Sequence, residues 1–300
     1  MSKNKNKTNA IKMSKEDRRF TRFVYIVATF FLVLALYPLW FVLIASFSDA
    51  SEVIRGNVWI LPVKFTLEGY KMMLSFTEIW AGYANTIFYT VLGVSLSMIC
   101  TIPAAYALSR DTLPFRKTIN FYCMLTMYIS GGMIPTYFLV QDLGLLDTRT
   151  VIILIGAVSI HNMIICRSFF RSNIPLELIE SAKLDGCGEM GIFTKIVIPL
   201  SKAIIAVMVL YFAVGRWNSY RTGLIYLRDE NKWPLQLVLR TILNSNHLNA
   251  EDVGDTAEIV MQVQSMKYGV LVVASAPLLA IYPFIQKYFV KGVMIGAVKS

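Results

Sequence analysis

The sequence is short of charge. Of its 300 residues only 16% are Asp, Glu, Lys or Arg, against about 25% in an ordinary soluble domain, while 56% are hydrophobic and the mean hydropathy is +0.56. Such a chain has too much apolar surface to remain disordered in water. Four cysteines, ten prolines and 17 glycines in this length exclude a disulfide scaffold and a collagen-like repeat. Histidine occurs only at His161 and His247, neither with partners at metal-ligand spacing, so no metal site is expected. His161 is expected to be hydrogen-bonded inside a bundle. No Gly-x4-Gly-Lys-Ser/Thr run occurs, so the chain is not expected to be its own P-loop ATPase. One literal GxGxxG exists, Gly186-Cys187-Gly188-Glu189-Met190-Gly191, but a helical pattern precedes it and an apolar stretch follows where dinucleotide folds carry an acid. What remains is an integral membrane protein.

What charge there is sits unevenly. The net charge is +10, and residues 1–22 alone hold eight basic against two acidic side chains. This polar segment reads as a solvated tail. The charge-free run Phe23–Ser48 then extends 26 residues, well beyond the roughly 7–15 of a secretory signal core, so a retained first span is expected. Further charge-free runs cover 79–109, 118–141, 150–166 and 268–286, lengths on the order of the ~20 residues that cross a bilayer. A sixth stretch, 196–220, carries Lys202 and Arg216 near its ends, where both are expected to snorkel toward the interface. Six transmembrane helices follow.

The basic side chains orient them. Arg110, Arg116 and Lys117 fall between spans two and three, and Arg167, Arg171, Lys183 and Lys195 between four and five. Lys287, Lys291 and Lys299 follow span six. By the positive-inside rule both termini are cytoplasmic, and the outer segments are 49–78, 142–149 and 221–267, the last expected to fold over the outer mouth. Cys100, Cys123, Cys166 and Cys187 avoid the outer loops and are expected to be core residues. The charge-free spans hold no carboxylate that could relay protons or ions. Uphill transport would therefore draw its energy from another subunit.

The loop between spans four and five carries a punctuated helix. Pro175 suits a first turn, Glu177 complements the positive helix start, and Gly186 suits a left-handed stop. Leu178, Ala182 and Leu184 would form a small apolar face. A short amphipathic helix here either docks in a partner's groove or lies on the headgroups.

Its residues resemble the permeases of binding-protein-dependent ABC importers, whose loop motif has the form E-A-A-x3-G-x9-I-x-L-P. This chain reads Glu180-Ser181-Ala182, three residues, Gly186, nine residues, then Ile196-Val197-Ile198-Pro199, with Ser181 and Ile198 as departures. Asp185, Ile174-Pro175 and the stretch Ala213–Tyr220 resemble the carbohydrate-uptake branch that includes the maltose permease pair. Trp217–Tyr220 with Pro234–Arg240 is similar to permeases for complex, pectin-derived oligosaccharides. The likeness runs from about Phe23 to the C-terminus.

This resemblance implies an all-α type I importer permease in the bacterial plasma membrane, with a tail at 1–22 and a transmembrane domain at 23–300 whose core is about 79–290. It implies a second homologous permease, two ATPase subunits, an external solute-binding protein and an oligosaccharide carried by alternating access. The chain itself would bind no cofactor, ATP and Mg residing on the ATPase. The helix at 175–190 would couple to that ATPase through Glu180, Ser181, Ala182, Asp185, Gly186 and Pro199. For the solute path, aromatic and amide groups nominate Tyr128, Asn162, Trp217 and Asn218, with Tyr122 and Tyr137 nearby in sequence. In the maltose system the paired permease holds the sugar. A peptide or amino-acid cargo, or a membrane scaffold docking a regulator, stands as the alternative.

Overall fold

The computed structural model of the chain describes residues 14–252, 266–280 and 283, and among these the regular structure is helical, without a strand. Helix α1 (Lys15–Ser46) starts inside the basic segment, earlier than the charge-free run. Ser14 Oγ accepts the Asp17 N–H and the Asp17 carboxylate accepts the Ser14 N–H, so both donors of a capping box are satisfied. None of its most apolar 18 residues is buried. Among the described residues it joins the body only at its end, where Ile44 and Ala45 pack on Val53 and Val58 and the Trp40 indole donates to the Ile60 carbonyl at 2.9 Å.

Two short helices, α2 (Ala50–Ile54) and α3 (Glu68–Ser75), lead to α4 (Thr77–Ser109). Its 33 residues span about 50 Å at 1.5 Å per residue, and several of the later helices pack against α4. Among the described residues only α1 and α4 are single helices long and apolar enough to cross a membrane.

Two further charge-free runs, 118–141 and 150–166, are not single helices. In the third, α5 (Arg116–Tyr128) and α6 (Met133–Asp142) meet at 110°. Between them lie Gly131 and Gly132, the latter at φ +84°, a conformation that opposes a continued helix and that glycine tolerates. In the fourth, α7 (Arg149–Leu154) stops before Gly156 at φ +76°, and α8 (Ile160–Asn173) restarts with the Ser159 hydroxyl accepting the Asn162 N–H. After the loop helix α9 (Leu176–Leu184) come α10 (Glu189–Ile192), a π turn at Phe193–Val197 and α11 (Ile198–Leu200). An 81° bend at Ser201 then separates these from α12 (Lys202–Trp217). The expected fifth span therefore loses its first residues to the far side of a corner. Among the described residues, counting the pairs bent by 110° and by 81° as one span each gives up to four crossings.

Residues expected to form an outer loop build α13 (Tyr220–Tyr226), a 3₁₀ turn at Glu230–Lys232 and α14 (Leu235–Asp252). Helix α15 (Met266–Ala280) lies within the expected sixth span. The start of the tail, the rest of span six and Lys287, Lys291 and Lys299 fall outside the described residues.

Packing divides α4 into two halves. Its C-terminal half joins α8, α9 and α10–α12 in one apolar cluster that includes Ile102, Tyr106, Phe170, Ile192, Val197 and Met208. Its N-terminal half packs on α14 and α15 through Ile79, Leu235 and Val270, and on α7 through Tyr89 and Ile152. There side chains reach for irregular backbone: Asn85 Nδ2 donates to the Asn231 and Trp233 carbonyls at 2.7 and 3.1 Å, and Tyr89 Oη to the Lys232 carbonyl at 2.7 Å. Thr86 Oγ1 accepts the Leu235 N–H at 2.8 Å.

Arg216 corrects an expectation. Instead of snorkelling, it is buried, donating from Nη1 to the Ile152 and Ile155 carbonyls at 2.5 and 2.8 Å and from Nη2 to Ile153 at 3.0 Å. These carbonyls end α7 and have no helical partner. The broken fourth span thus creates the need that the arginine fills. Gly93 makes room, since a Cβ there would sit 2.9 Å from Arg216 Nε. His161 also departs from expectation: it is exposed on the first turn of α8.

Candidate functional site: the loop helix and the groove beside it

Helix α9 is set by its ends. Pro175 precedes its first turn, and Gly186, at φ +77°, closes it. The Cys187 N–H donates to the Ala182 carbonyl at 2.9 Å and the Gly186 N–H to Lys183 at 3.0 Å. These two bonds form the paired stop that a left-handed residue after a helix allows.

The inner face differs from the expected one. Ile179 is 1% exposed and Ala182 is buried, both within the cluster of α4, α8 and α10–α12. Leu178 and Leu184, expected on that face, point outward, Leu184 being 90% exposed. At 100° per residue Ile179 and Ala182 share one side, and the body of the bundle lies there. The leucines are exposed together with Glu177, Glu180 and Ser181. Burying Ile179 alone contributes roughly 2 kcal/mol, so α9 is fastened to the bundle while its outer face is open.

The motif residues divide by role. Glu180 lies on the wall of a cavity of about 440 Å³ that also takes in Arg110, Asp111, Arg171 and Lys183, and it makes no ion pair among the described residues. Lys183 reaches forward to Glu189 at 2.5 Å, an exposed pair of small energetic weight. Ser181 and Asp185 are exposed, the Asp185 N–H capping on the Ser181 carbonyl at 3.0 Å. Gly191, last of the literal GxGxxG, faces the Cys187 sulfur, which a Cβ would meet at 2.7 Å; the glycine serves packing.

Pro199 stands two residues before the bend. It has no N–H for a helical bond and its ring crowds the carbonyl four residues back. The preceding turn is widened to π, with the Ile198 N–H bonded to the Phe193 carbonyl. Proline and π turn together open the corner through which α9–α11 meet α12. Such single π turns are frequent at functional sites.

The solute-path candidates do not converge. Tyr128 and Tyr122 are exposed on α5, and Asn162 is half-buried at the start of α8. Trp217 is 4% exposed, its indole N–H donating to the Ala274 carbonyl at 3.0 Å, so in this conformation it ties α12 to α15. Asn218, adjacent in sequence, is exposed and donates back to Val214 at 2.9 Å. Tyr137 stacks on Tyr226, ring centres 6.1 Å apart. Sequence reasoning missed instead an open apolar groove of about 650 Å³ between α4 and α12, lined by Thr90, Val94, Ser95, Met98, Ile205 and Val209. Its signal was available: 90, 94 and 98 recur at helical spacing, as do 205 and 209. Among the described residues no group of His, Cys, Asp or Glu could hold a metal ion.

The opposite end carries its own polar joint. Asp147, in the loop before α7, accepts the Asp229 and Arg228 N–H groups at 3.0 and 3.1 Å. Lys232 Nζ reaches its carbonyl at 2.7 Å and its carboxylate at 3.2 Å. The Asp229 and Arg228 N–H groups, aided by Lys232, hold the Asp147 carboxyl below the usual carboxylate range. Desolvation opposes the Lys232 charge, but Asp147 and Asp229 outweigh it and raise the ammonium above its ordinary value.

The chain matches no known protein-family model. It is 40% identical over 289 residues to the polygalacturonan/rhamnogalacturonan transport system permease protein YtcP of Bacillus subtilis strain 168, covering 95% of this chain and 100% of that one. Protein LplC of the same organism is 41% identical over 268 residues, 89% of this chain and 90% of LplC. Among solved structures, a chain from the crystal structure of a bacterial ABC transporter involved in the import of the acidic polysaccharide alginate matches with a TM-score of 0.83 and 34% identity. It covers 93% of this chain and 100% of that one.

Proposed function

We infer the working of this chain from one premise: it belongs to the family of carbohydrate ABC importer permeases. It forms one half of a permease pair and lets oligosaccharides pass from an external binding protein into the cytoplasm. The chain crosses the membrane six times with both termini inside, the bent pair α5–α6 and the interrupted pair α7–α8 each serving as one crossing. The motif end then faces the cytoplasm, where two ATPase subunits hold ATP and Mg. The chain hydrolyses nothing itself. The relatives named for polygalacturonan, rhamnogalacturonan and alginate import favour an acidic, uronate-containing oligosaccharide over a peptide or amino acid.

The observation that carries this reading is the two-faced fastening of α9. A helix that transmits force between subunits needs one face fixed to its own bundle and the other open to the partner. Ile179 and Ala182 supply the first, while Leu184, Glu177 and Glu180 supply the second. ATP-driven closure of the ATPase pair would push α9 as a body and, through the corner at Pro199 and Ser201, turn α12 against α4. The open groove between α4 and α12 and the uncovered length of α1 give the second permease apolar surface to cover.

The test is uptake of a labelled galacturonate oligomer by cells carrying variants. Gly186→Pro removes the N–H that caps α9 and cannot take φ +77°; Glu180→Lys inverts the charge on the open face. Each should lower uptake at least tenfold while membrane levels of the chain stay within twofold of wild type. Wild-type uptake in both variants would remove α9 from the coupling path.

A further inference from the structure

A second cavity, of about 340 Å³, lies between the first turns of α5 and the last turns of α8, separate from the α4–α12 groove. Four cations line it: Arg116 and Lys117 from α5, Arg167 and Arg171 from α8. Arg167 and Arg171 stand four apart and so share a helix face, where like charges repel. Compensation is sparse. Arg116 pairs with Asp111, and Arg167 donates to Asn120 Oδ1. Lys117 and Arg171 have no ion-pair partner among the described residues. Helix α5 adds a further positive contribution, since its first turn has neither an acidic residue nor a side-chain cap. Three uncompensated cations and an uncapped helix start in one pocket call for an anion.

The rest of the lining says what kind. Phe121 and Met124, 62% and 48% exposed, continue the Lys117 face along α5, four and seven residues further from the motif end. The pocket is therefore graded along the helix axis: cationic at its mouth and one turn in, where Arg167 reaches Asn120, and apolar at Phe121 and Met124. A free phosphate would use only the mouth. A molecule with an anionic head and an apolar tail would use both.

We propose that this pocket holds the phosphate headgroup of an anionic phospholipid, with an acyl chain laid over Phe121 and Met124. Basic pockets between membrane helices bind such headgroups by charge and by bidentate guanidinium bonds. Arg171 lines this pocket and also the cavity that holds Glu180, so an occupied headgroup site sits directly beside the loop helix. The proposal rests on α5 and α8 crossing a bilayer as inferred above, and not on the cargo or on ATPase coupling.

The experiment uses the full transporter, purified with its partner subunits in mild detergent. Native mass spectrometry counts lipids retained after addition of phosphatidylglycerol or of phosphatidylcholine with the same acyl chains. The expected result is tight retention of phosphatidylglycerol alone, weakened about 25-fold by Lys117→Gln with Arg171→Gln, roughly fivefold for each cation removed. Asp111→Asn, which releases Arg116, should strengthen it severalfold, so a result is obtained even if the double variant fails to assemble. Equal retention of both lipids, or no response to these variants, overturns the proposal. Displacement by inorganic phosphate also overturns it, marking a soluble-anion pocket instead. Galacturonate uptake by the same variants reports on the permease reading separately.

Discussion

The two ends of this molecule are held together by different means. At the motif end, α9 and its neighbours share an apolar cluster in which Ile179, Ile192, Val197 and Met208 are essentially inaccessible and no carboxylate is buried. At the opposite end the joints are polar: Asn85, Thr86, Tyr89, Asp147 and Lys232 all bond to backbone groups of another segment. The cause is the local chain. The motif end packs mainly helix against helix, whose backbone groups are largely satisfied within each helix, the π turn included. The opposite end folds turns and helix ends against α4, and each unpaired carbonyl or N–H away from water needs a partner. Directional bonds fix one arrangement there, whereas apolar packing at the motif end binds α9 without fixing its outer face.

The sharpest way to break this contrast is to remove the apolar rivet. Ile179→Ala should cost about 2–5 kcal/mol, the range for truncating a buried isoleucine or leucine to alanine. Because α9 has nine residues and a helix that short is marginal alone, the loss should appear locally. Amide exchange across residues 176–184 should accelerate on the order of 100-fold, while exchange around Asp147 is unchanged. Leu184→Ala, on the open face, should leave the helix as protected as wild type. Greater loosening from Leu184→Ala than from Ile179→Ala would reverse the assigned faces.

A smaller effect should separate the ends by pH. A carboxyl whose folded pKa is depressed contributes stability above its unfolded value, about 3.9 for Asp, and that contribution disappears as pH falls through the depressed value. Asp147 is such a group. Lys232, raised by Asp147 and Asp229, contributes below the ordinary lysine value and loses its share as pH rises through the raised one. The joint should therefore hold fully between those limits. Amides of residues 228–233 should lose protection on acidification, and Asp147→Asn should start from a looser joint with a flatter acid response. The cluster around Ile179, lacking a carboxylate, should not follow. Parallel acid opening of both ends would erase the distinction drawn between them.

Some of this was legible in the residues. The apolar run 79–109 yields α4 nearly to the residue, and Pro175 and Gly186 bound α9 because punctuation by proline and glycine acts locally. Uninterrupted apolarity proved a poor guide to helix continuity, however. Hydropathy reports solvent preference, whereas Gly132 and Gly156 report backbone direction, and the two are independent. Arg216 was misread for the same reason: with α7–α8 taken as one helix, no free carbonyls existed for a buried arginine to meet. Trp217 and Asn218, neighbours in sequence, separate into a buried tie and an exposed cap because adjacent helical positions point about 100° apart. The inner face of α9 required knowing on which side the bundle lies.

The gentlest probe of the open face is Ser181, where the family motif has alanine. Ser181 is exposed, and the structure uses its carbonyl, not its hydroxyl, to cap Asp185. Ser181→Ala removes no described contact and slightly favours helix, a gain on the order of 0.5 kcal/mol. Exchange across α9 should slow about twofold and galacturonate uptake should match wild type. The outcome matters because Ser181 lies beside Glu180 on the face proposed for the ATPase. An uptake loss of more than about fivefold, with α9 still protected, could not come from this chain's own packing. It would place the hydroxyl in contact with the partner and carry the seat of the ATPase around α9 from Glu180 onto Ser181.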